Sequence, residues 1–219
     1  MTQLLSASLE WMGRLAEIRD DTSGKHIERV QTCLRIFIEG IQQSSSEKSD
    51  IPGKAGSSGR IMPADWDVEA VILASVLHDI GKMKIPDSIL LKKSRLTEVE
   101  FTEMEKHCLY GKDLIKDLQS RVAPQAFLEH AQNIAYYHHE KWDGTGYPEG
   151  LKGEEIPLEA RMMAIVDVYD ALVSERPYKP AYTHENALEI IQEGKNTHFD
   201  PALVDIFLSL SEKTKRAMG

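Results

Sequence analysis

Apolar residues recur at spacings of three and four through most of the chain, and this periodicity restricts the fold more than any other feature. Such spacing places apolar side chains on one face of a helix. The clearest stripe consists of Ile27, Val30, Leu34, Phe37, Ile38 and Ile41. No segment shows a convincing apolar–polar alternation of the kind that marks a half-buried strand, apart from short pieces near Ile85 and Ile89. The pattern therefore predicts an all-α fold.

Capping residues precede several of the predicted helices. Asp65 or Asp67 is placed to cap a helix in the apolar segment that follows. Thr97 and Glu100 form the capping-box pattern, in which each side chain bonds the backbone of the other residue. Asp200 precedes a proline, which is favoured at the first helical position. Further helices are predicted for residues 125–137, 158–173 and 184–193.

The chain of 219 residues is long enough for one domain with a sizeable core or for two small domains. Residues 42–60 are rich in Ser, Gly and Lys and have no apolar period, which is typical of a flexible surface loop. A domain boundary at this loop is the alternative, but residues 1–41 are too few for an independent core. We therefore predict a single domain over residues 1–219, with a connector-like helix at residues 1–18.

The net charge of −9 disfavours sequence-independent binding to duplex nucleic acid, which requires a broad basic face. A small phosphate substrate is compatible with this charge, because a bound metal can dominate the local field.

No apolar run approaches the roughly 18–20 residues that span a bilayer, and the first residues lack a signal-peptide pattern. We expect a cytoplasmic location. Cys33 and Cys108 form no zinc motif and no disulfide framework, and both are predicted to be buried or partly buried small apolar residues.

Two residue pairs with metal-ligand chemistry follow predicted helices. His78 and Asp79 end an apolar helix, and His138 and His139 lie just before the loop WDGTGYP at residues 142–148. Adjacent side chains on a helix point about 100° apart, so neighbours can face two ions or two sides of one ion. A carboxylate has two oxygens and can bridge two ions. A mixed His/Asp set suits Fe or Mn better than a structural zinc site.

Each histidine taken alone is more readily explained as a surface residue or a hydrogen-bonded core residue. The ordered combination of His-Asp-x-Gly-Lys, His-His-Glu and Asp-Gly-x-Gly-Tyr-Pro in one chain is hard to explain in that way. Two ions roughly 3.5–4 Å apart can stabilise an in-line phosphoryl displacement. The combination therefore favours a metal-dependent phosphodiesterase.

These segments, taken together, resemble the HD-GYP domain, a subgroup of the HD superfamily of metal-dependent phosphohydrolases. The matching segments are HDIGK (78–82), KIPDSILLK (84–92), HHEKWDGTGYPEGLKGEEIP (138–157), ARMMAIVDVYDAL (160–172), RPYK (176–179) and HFDP (198–201). The resemblance extends over about residues 18–210. It implies an all-helical bacterial enzyme that hydrolyses cyclic di-GMP to the linear dinucleotide pGpG or to GMP.

The resemblance also implies two divalent metal ions, which we expect to be Fe or Mn. The implied metal ligands are His26, His78, Asp79, His107, His138, His139 and Asp167. Asp79 would bridge the two ions, and Lys82 would neutralise charge on the phosphate or on the leaving oxygen. The implied substrate-binding residues are Asp143, Gly146, Tyr147, Pro148, Arg176 and Lys179. Gly144 and Gly146 would allow the loop backbone to approach closely.

Other polar residues near these motifs receive supporting roles. Asp170 is expected to support a ligand rather than to bind a metal itself. Glu140 is interpreted either as orienting a ligand histidine or as solvated. The remaining histidines are treated as structural or surface residues: His130, His184 and His198.

One position departs from the pattern of the family. Some members carry a glutamate four residues before the first histidine, where it helps to hold a third metal, and Thr22 takes this place here. Threonine does not replace an anionic ligand at neutral pH. We therefore predict two ions rather than three, unless Asp20 or Asp21 contributes a ligand.

Three alternatives stay open at this point. The substrate could be another cyclic dinucleotide such as cyclic GMP-AMP, since the phosphate chemistry is identical. The chain could also be a non-catalytic module that binds the nucleotide and signals, which lost ligands would favour, or a purely structural helical domain. The N-terminal helix could mediate a homodimer or a contact with an upstream regulatory domain.

Overall fold

The structure is a computed structural model that describes residues 3–17, 25–47, 61–63, 66–123, 125–175 and 181–218. Its α-helices are α1 (Gln3–Glu17), α2 (His26–Glu47), α3 (Val68–Ser75), α4 (Asp87–Leu90), α5 (Glu98–Arg121), α6 (Ala126–Tyr137), α7 (Leu158–Val173), α8 (His184–Glu193), α9 (Pro201–Ser209) and α10 (Ser211–Met218). Two short 3-10 helices lie at Ile80–Lys84 and Gly153–Glu155. Within these ranges the only β-type pairing is an isolated bridge between Lys195 and Phe199. The predicted all-α fold is confirmed.

The predicted capping residues start the helices as expected. Asp67 accepts a hydrogen bond from the backbone N–H of Ala70 at the start of α3. Thr97 and Glu100 form the reciprocal capping box of α5. Asp200 accepts from two backbone N–H groups at the start of α9, with proline at the first helical position. Asp65, the alternative cap of α3, lies outside the described residues.

Two local predictions are wrong. Ile85 and Ile89 do not lie in strands: Ile85 closes the 3-10 helix by donating its N–H to the carbonyl of Lys82, and Ile89 lies in α4. In addition, α2 continues to Glu47 and so includes the first six residues of the predicted loop 42–60. The hydroxyl of Ser44 donates to the carbonyl of Gly40, which lets a polar residue stay within the helix. Residues 48–60 lie outside the described ranges.

The core forms around α2, α3, α6 and α7, which contact one another and enclose the apolar stripe predicted for α2. Phe37 of α2 meets Phe207 of α9 edge to face, and Tyr169 of α7 packs on the same ring. Cys33 and Cys108 are fully buried free thiols, as predicted. None of the described helices is both long enough and apolar enough to cross a bilayer.

A close contact between the 3-10 helix Ile80–Lys84 and α5 fixes the turn after α3. A Cβ atom at Gly81 would lie 1.9 Å from the carbonyl oxygen of His107 and 2.5 Å from the backbone nitrogen of Gly111. Only glycine fits such an approach of two backbones. The contact therefore brings residues 78–79 next to the middle of α5.

Candidate metal centre

Seven side chains with metal-ligand chemistry converge between the helices. They come from the start of α2, the turn after α3, the middle of α5, the end of α6 and the third turn of α7. Asp79, His107, His138 and His139 form one cluster, called here the Asp79 group, whose ligand atoms lie within 4.8 Å of one another. His26, His78 and Asp167 form a second cluster by the same criterion, called here the His26 group. All seven implied ligands thus fall in two adjacent groups.

Asp79 lies between the two groups. Its Oδ1 is 3.4 Å from Nε2 of His107 and 3.7 Å from Nε2 of His138. Its Oδ2 is 3.3 Å from Nε2 of His78, which belongs to the other group. The two carboxylate oxygens therefore face different groups, which is the arrangement that a bridging carboxylate requires.

Four of the five histidines hold their rings with a hydrogen bond at Nδ1. His78, His107 and His138 bond backbone carbonyls three or four residues earlier, at 2.9, 2.7 and 2.9 Å. Nδ1 of His26 lies 2.6 Å from the carboxylate of Asp170. Because an oxygen acceptor requires a proton on Nδ1, Nε2 is left with its lone pair directed into the groups.

Two atoms in the Asp79 group are buried without a hydrogen-bond partner, Oδ1 of Asp79 and Nε2 of His138. A buried polar atom without a partner costs free energy, and a cation between these two atoms would satisfy both. Imidazole and carboxylate ligands without thiolate suit Fe or Mn. The residues present therefore fit a divalent metal ion.

The surroundings keep the donors in the protonation state that a metal needs. Burial, partly offset by the charge of Asp79, lowers the pKa of His107 to about 4. Burial, with the neighbouring His138, also lowers the pKa of His139 well below its ordinary value. For Asp79, burial raises the pKa, but the charge of Lys82 and contacts with His78 outweigh it and hold the pKa well below the ordinary range. The carboxylate of Asp79 is therefore ionised, and the imidazoles of His107 and His139 are neutral, at pH 7.

Among the described residues, Lys82 and Arg29 place positive charges against Asp79 and Asp170. The Nζ of Lys82 lies 2.7 Å from Oδ2 of Asp79. Arg29 donates two hydrogen bonds to Asp170, whose carboxylate also bonds His26 and so orients the ring of this implied ligand. Sequence reasoning missed Arg29. Its position three residues after His26, on the same face of α2, was the available signal.

Asp170→Asn is expected to lower the affinity for one of the two metal ions about 10–100-fold, because loss of the hydrogen bonds that support a ligand histidine typically costs that much affinity. An asparagine offers one oxygen where the carboxylate serves both His26 and Arg29. Binding of Mn²⁺ to metal-free protein measures the effect, and the weakened ion should be the one lost in His26→Ala. Glu69→Gln, which breaks an exposed pair with Arg35, is the matched control. Unchanged affinity for both ions in Asp170→Asn would contradict the assignment.

The loop after α6 folds back over the Asp79 group. The carboxylate of Asp143 accepts from the N–H and hydroxyl of Thr145 and so shapes the loop itself. A Cβ at Gly146 would lie 2.6 Å from the carbonyl oxygen of His139, so this glycine lets the loop backbone pack closely on the end of α6. Its approach to substrate stays a prediction. Gly144 instead has a φ of +83°, where glycine is favoured. Tyr147 stacks on His139 and precedes Pro148 through a cis peptide bond.

Glu140 is not solvated, and it does not bond a ligand histidine directly. The side chain is buried, and its carboxylate accepts from the backbone N–H groups of residues 149, 150 and 151 rather than from a histidine or from water. The other histidines contact structural partners: His130 bonds Glu159, and His184 bonds Tyr169 and Ser211. The ring of His198 stacks on Phe199.

Some predicted positions lie outside the described residues. They are Arg176 and Lys179, proposed for the substrate phosphate, and Asp20, Asp21 and Thr22, which bear on a third metal. Their roles stay predictions.

Residues 42–203 match the HD domain family, a range that holds every ligand of the two groups except His26. The chain belongs to the HD domain family. Within that family this HD domain is of the HD-GYP type, as its motifs indicated. A solved structure of a cyclic GMP-AMP-specific phosphodiesterase from Vibrio cholerae shares the fold, with a TM-score of 0.55 at 20% identity. The match covers 96% of this HD domain chain and 53% of the other.

Two relatives from Vibrio cholerae are similar over nearly the whole chain. A cyclic di-GMP phosphodiesterase is 44% identical over 202 residues, which cover 92% of this chain and 39% of the relative. A 3′3′-cGAMP-specific phosphodiesterase 2 is 36% identical over 213 residues, which cover 95% of this chain and 36% of the relative. This HD domain chain therefore spans less than half the length of either relative.

Proposed function

We propose that the chain is a metal-dependent phosphodiesterase that hydrolyses cyclic di-GMP to pGpG, to GMP or to both. The observation that carries the proposal is the position of Asp79, whose two oxygens face two separate groups of ligands. The relative named a cyclic di-GMP phosphodiesterase, 44% identical over 202 residues, supports the choice of substrate. The cytoplasmic location expected from the sequence stays a prediction.

Two divalent ions, Fe or Mn, would be held by the residues of the two groups. Asp79, His107, His138 and His139 would hold one ion, with His26, His78 and Asp167 around the other. When bound, such ions polarise a phosphate and lower the pKa of water at neutral pH. The protein itself contributes imidazoles whose rings are already oriented, and the ionised carboxylate of Asp79 between them.

Lys82 is the side chain best placed to meet the charge of the substrate. Its ammonium lies 2.7 Å from Asp79 and its side chain is 20% exposed, so the positive charge reaches the solvent side of the centre. A fixed cation stabilises the negative charge that develops as the leaving 3′ oxygen separates from phosphorus. In a chain with a net charge of −9, this local cation would add to the attraction that bound metal ions exert on a dianionic substrate. Arg176 and Lys179 are proposed to hold the second phosphate.

Cyclic GMP-AMP is the second candidate substrate, because a relative with that specificity is 36% identical over 213 residues. It shares the scissile phosphodiester, and only one base differs. A non-catalytic signalling module is disfavoured, because all seven implied ligands lie in the two groups. A homodimer or a contact with a regulatory domain through α1 stays a prediction.

The test is turnover of both dinucleotides side by side by protein loaded with Mn²⁺ or with Fe²⁺. We expect kcat/KM for cyclic di-GMP to exceed that for cyclic GMP-AMP by at least about 10-fold, roughly 1.4 kcal/mol of discrimination. Chromatography of the products separates pGpG from GMP. A preference for cyclic GMP-AMP would contradict the choice of substrate, and hydrolysis of neither dinucleotide with either metal would contradict the proposed activity.

A further inference from the structure

His139 differs from the other four ligand histidines in what holds its ring. Each of the other four bonds an oxygen through Nδ1. Within the part of the chain that the structure describes, the ring of His139 has no hydrogen bond. It contacts the ring of His138 at 4.0 Å between centroids with planes inclined by 42°, the ring of His107 at 5.1 Å and 84°, and the ring of Tyr147. Of these contacts, only that with Tyr147 is stacked. The two centroids are 4.8 Å apart and the planes are inclined by only 28°. Because His107 and His138 are themselves implied ligands, Tyr147 is the ring neighbour outside the ligand set that can fix the orientation of His139.

Tyr147 is itself held close to His139 by the backbone. Its N–H donates to the carbonyl of His139 at 3.2 Å. Gly146 packs directly on the same segment, where a Cβ would lie 2.3 Å from the backbone nitrogen of Lys141. The ring of Tyr147 therefore has little freedom to leave the face of His139.

Glu140, the residue after His139, anchors the far side of the loop. Its buried carboxylate accepts from the backbone N–H groups of Glu149, Gly150 and Leu151, at 2.7, 3.1 and 3.1 Å. These three bonds close the loop around Tyr147 and return it to the end of α6. A buried carboxylate with three backbone donors resists displacement, because each donor would otherwise lose its partner.

The opposite side of the loop is tied to the turn before α9. The N–H groups of Trp142 and Asp143 donate to the carbonyls of His198 and Thr197, at 3.1 and 2.9 Å. The segment HFDP, at residues 198–201, thus has a structural task in supporting this loop. The loop is fixed at both ends, with Tyr147 in the middle.

We propose that Tyr147 is a positioning residue for the metal ligand His139, and that Glu140 acts by holding the loop that carries it. The stacked phenol ring takes the place of the oxygen acceptor that orients each of the other ligand histidines. The inference rests on the proposed metal centre. It assigns to the tyrosine of the GYP motif a role in metal binding that does not depend on substrate.

The test compares Tyr147→Leu with Tyr147→Phe by equilibrium dialysis of Mn²⁺ against metal-free protein. Phenylalanine keeps the stacked ring and leucine removes it. We expect Tyr147→Leu to lower the Mn²⁺ affinity of one site about 10–100-fold, and this should be the site that is lost in His139→Ala. Tyr147→Phe should bind both ions with the affinity of the wild type. Tyr110→Leu, the same change at a ring of α5 that contacts Lys84 and Glu103, should also bind both ions normally.

Glu140→Gln tests the anchor without touching the ring. The NH₂ group of the glutamine would face one backbone N–H donor. The affinity for the same ion should therefore fall, but by less than in Tyr147→Leu. Thermal unfolding of each variant checks that the fold persists. Unchanged Mn²⁺ affinity in Tyr147→Leu would overturn the positioning role of Tyr147 and leave the proposed metal centre intact. An equal loss of Mn²⁺ affinity in Tyr147→Phe would do the same. If the wild type itself fails to bind an ion that depends on His139, the proposed metal centre fails as well.

Discussion

Asp79→Asn is expected to lower kcat for cyclic di-GMP by at least about 10³-fold, the largest effect of any single substitution in the chain. An asparagine has one oxygen and one NH₂ group, and the NH₂ group cannot bind a metal. Because the two oxygens of Asp79 face different groups, one of the groups would lose its carboxylate. Steady-state turnover of Mn²⁺-loaded protein measures the loss.

Asp117→Asn is the matched control for this prediction. Asp117 forms an exposed pair with Arg121 on α5, so the same chemical change there should leave turnover within about twofold of the wild type. Thermal unfolding of Asp79→Asn checks that the fold persists, because the change also breaks the ion pair with Lys82. Wild-type turnover by Asp79→Asn would show that the bridging role is wrong.

Gly81→Ala is expected to destabilise the protein by about 3 kcal/mol or more and to reduce turnover with it. The added Cβ would overlap the backbone carbonyl of His107. The atoms that it meets all belong to the backbone, so no flexible side chain can move aside to relieve the overlap. Separation of the 3-10 helix from α5 would move Asp79 away from His107, so the metal centre would be disturbed along with the fold. Chemical denaturation and Mn²⁺ binding together measure both consequences.

Gly111→Ala is the control for this second prediction, since Gly111 lies across the same contact. A Cβ there would meet the Cβ of Ala135 at 3.2 Å, a contact that small shifts can relieve. Alanine also favours the helix by about 1 kcal/mol over glycine, which offsets the crowding. We expect a change in stability of under about 1 kcal/mol. If Gly81→Ala were as mild as Gly111→Ala, the close approach of the two backbones would not be essential.

Local rules predicted the helices well, because the signals lie within a few residues of one another. The caps at Asp67, Thr97 and Asp200 each bond N–H groups two or three residues later, which a sequence displays directly. The strand predicted near Ile85 was wrong because the local pattern there is ambiguous. Two apolar residues separated by polar ones fit a short helix as well as a strand, and the contact with α5 decides between them.

The candidate site was predictable in its ligands and much less so in their supports. His78, Asp79, His138 and His139 stand in recognisable pairs, and the family resemblance supplied the other three. The partners of Glu140 were not predicted because they are backbone N–H groups nine to eleven residues away, which no side-chain pattern marks. The bond between His26 and Asp170 likewise joins α2 to α7, and only the packed fold brings them together.

The most direct test of the account is turnover of cyclic di-GMP as Mn²⁺ is added stepwise to metal-free protein under anaerobic conditions. We expect no turnover without metal and a maximum at two ions per chain, with both ions retained on dialysis. Full turnover by metal-free protein, a maximum at one ion, or a requirement for three tightly bound ions would contradict a two-metal centre bridged by Asp79.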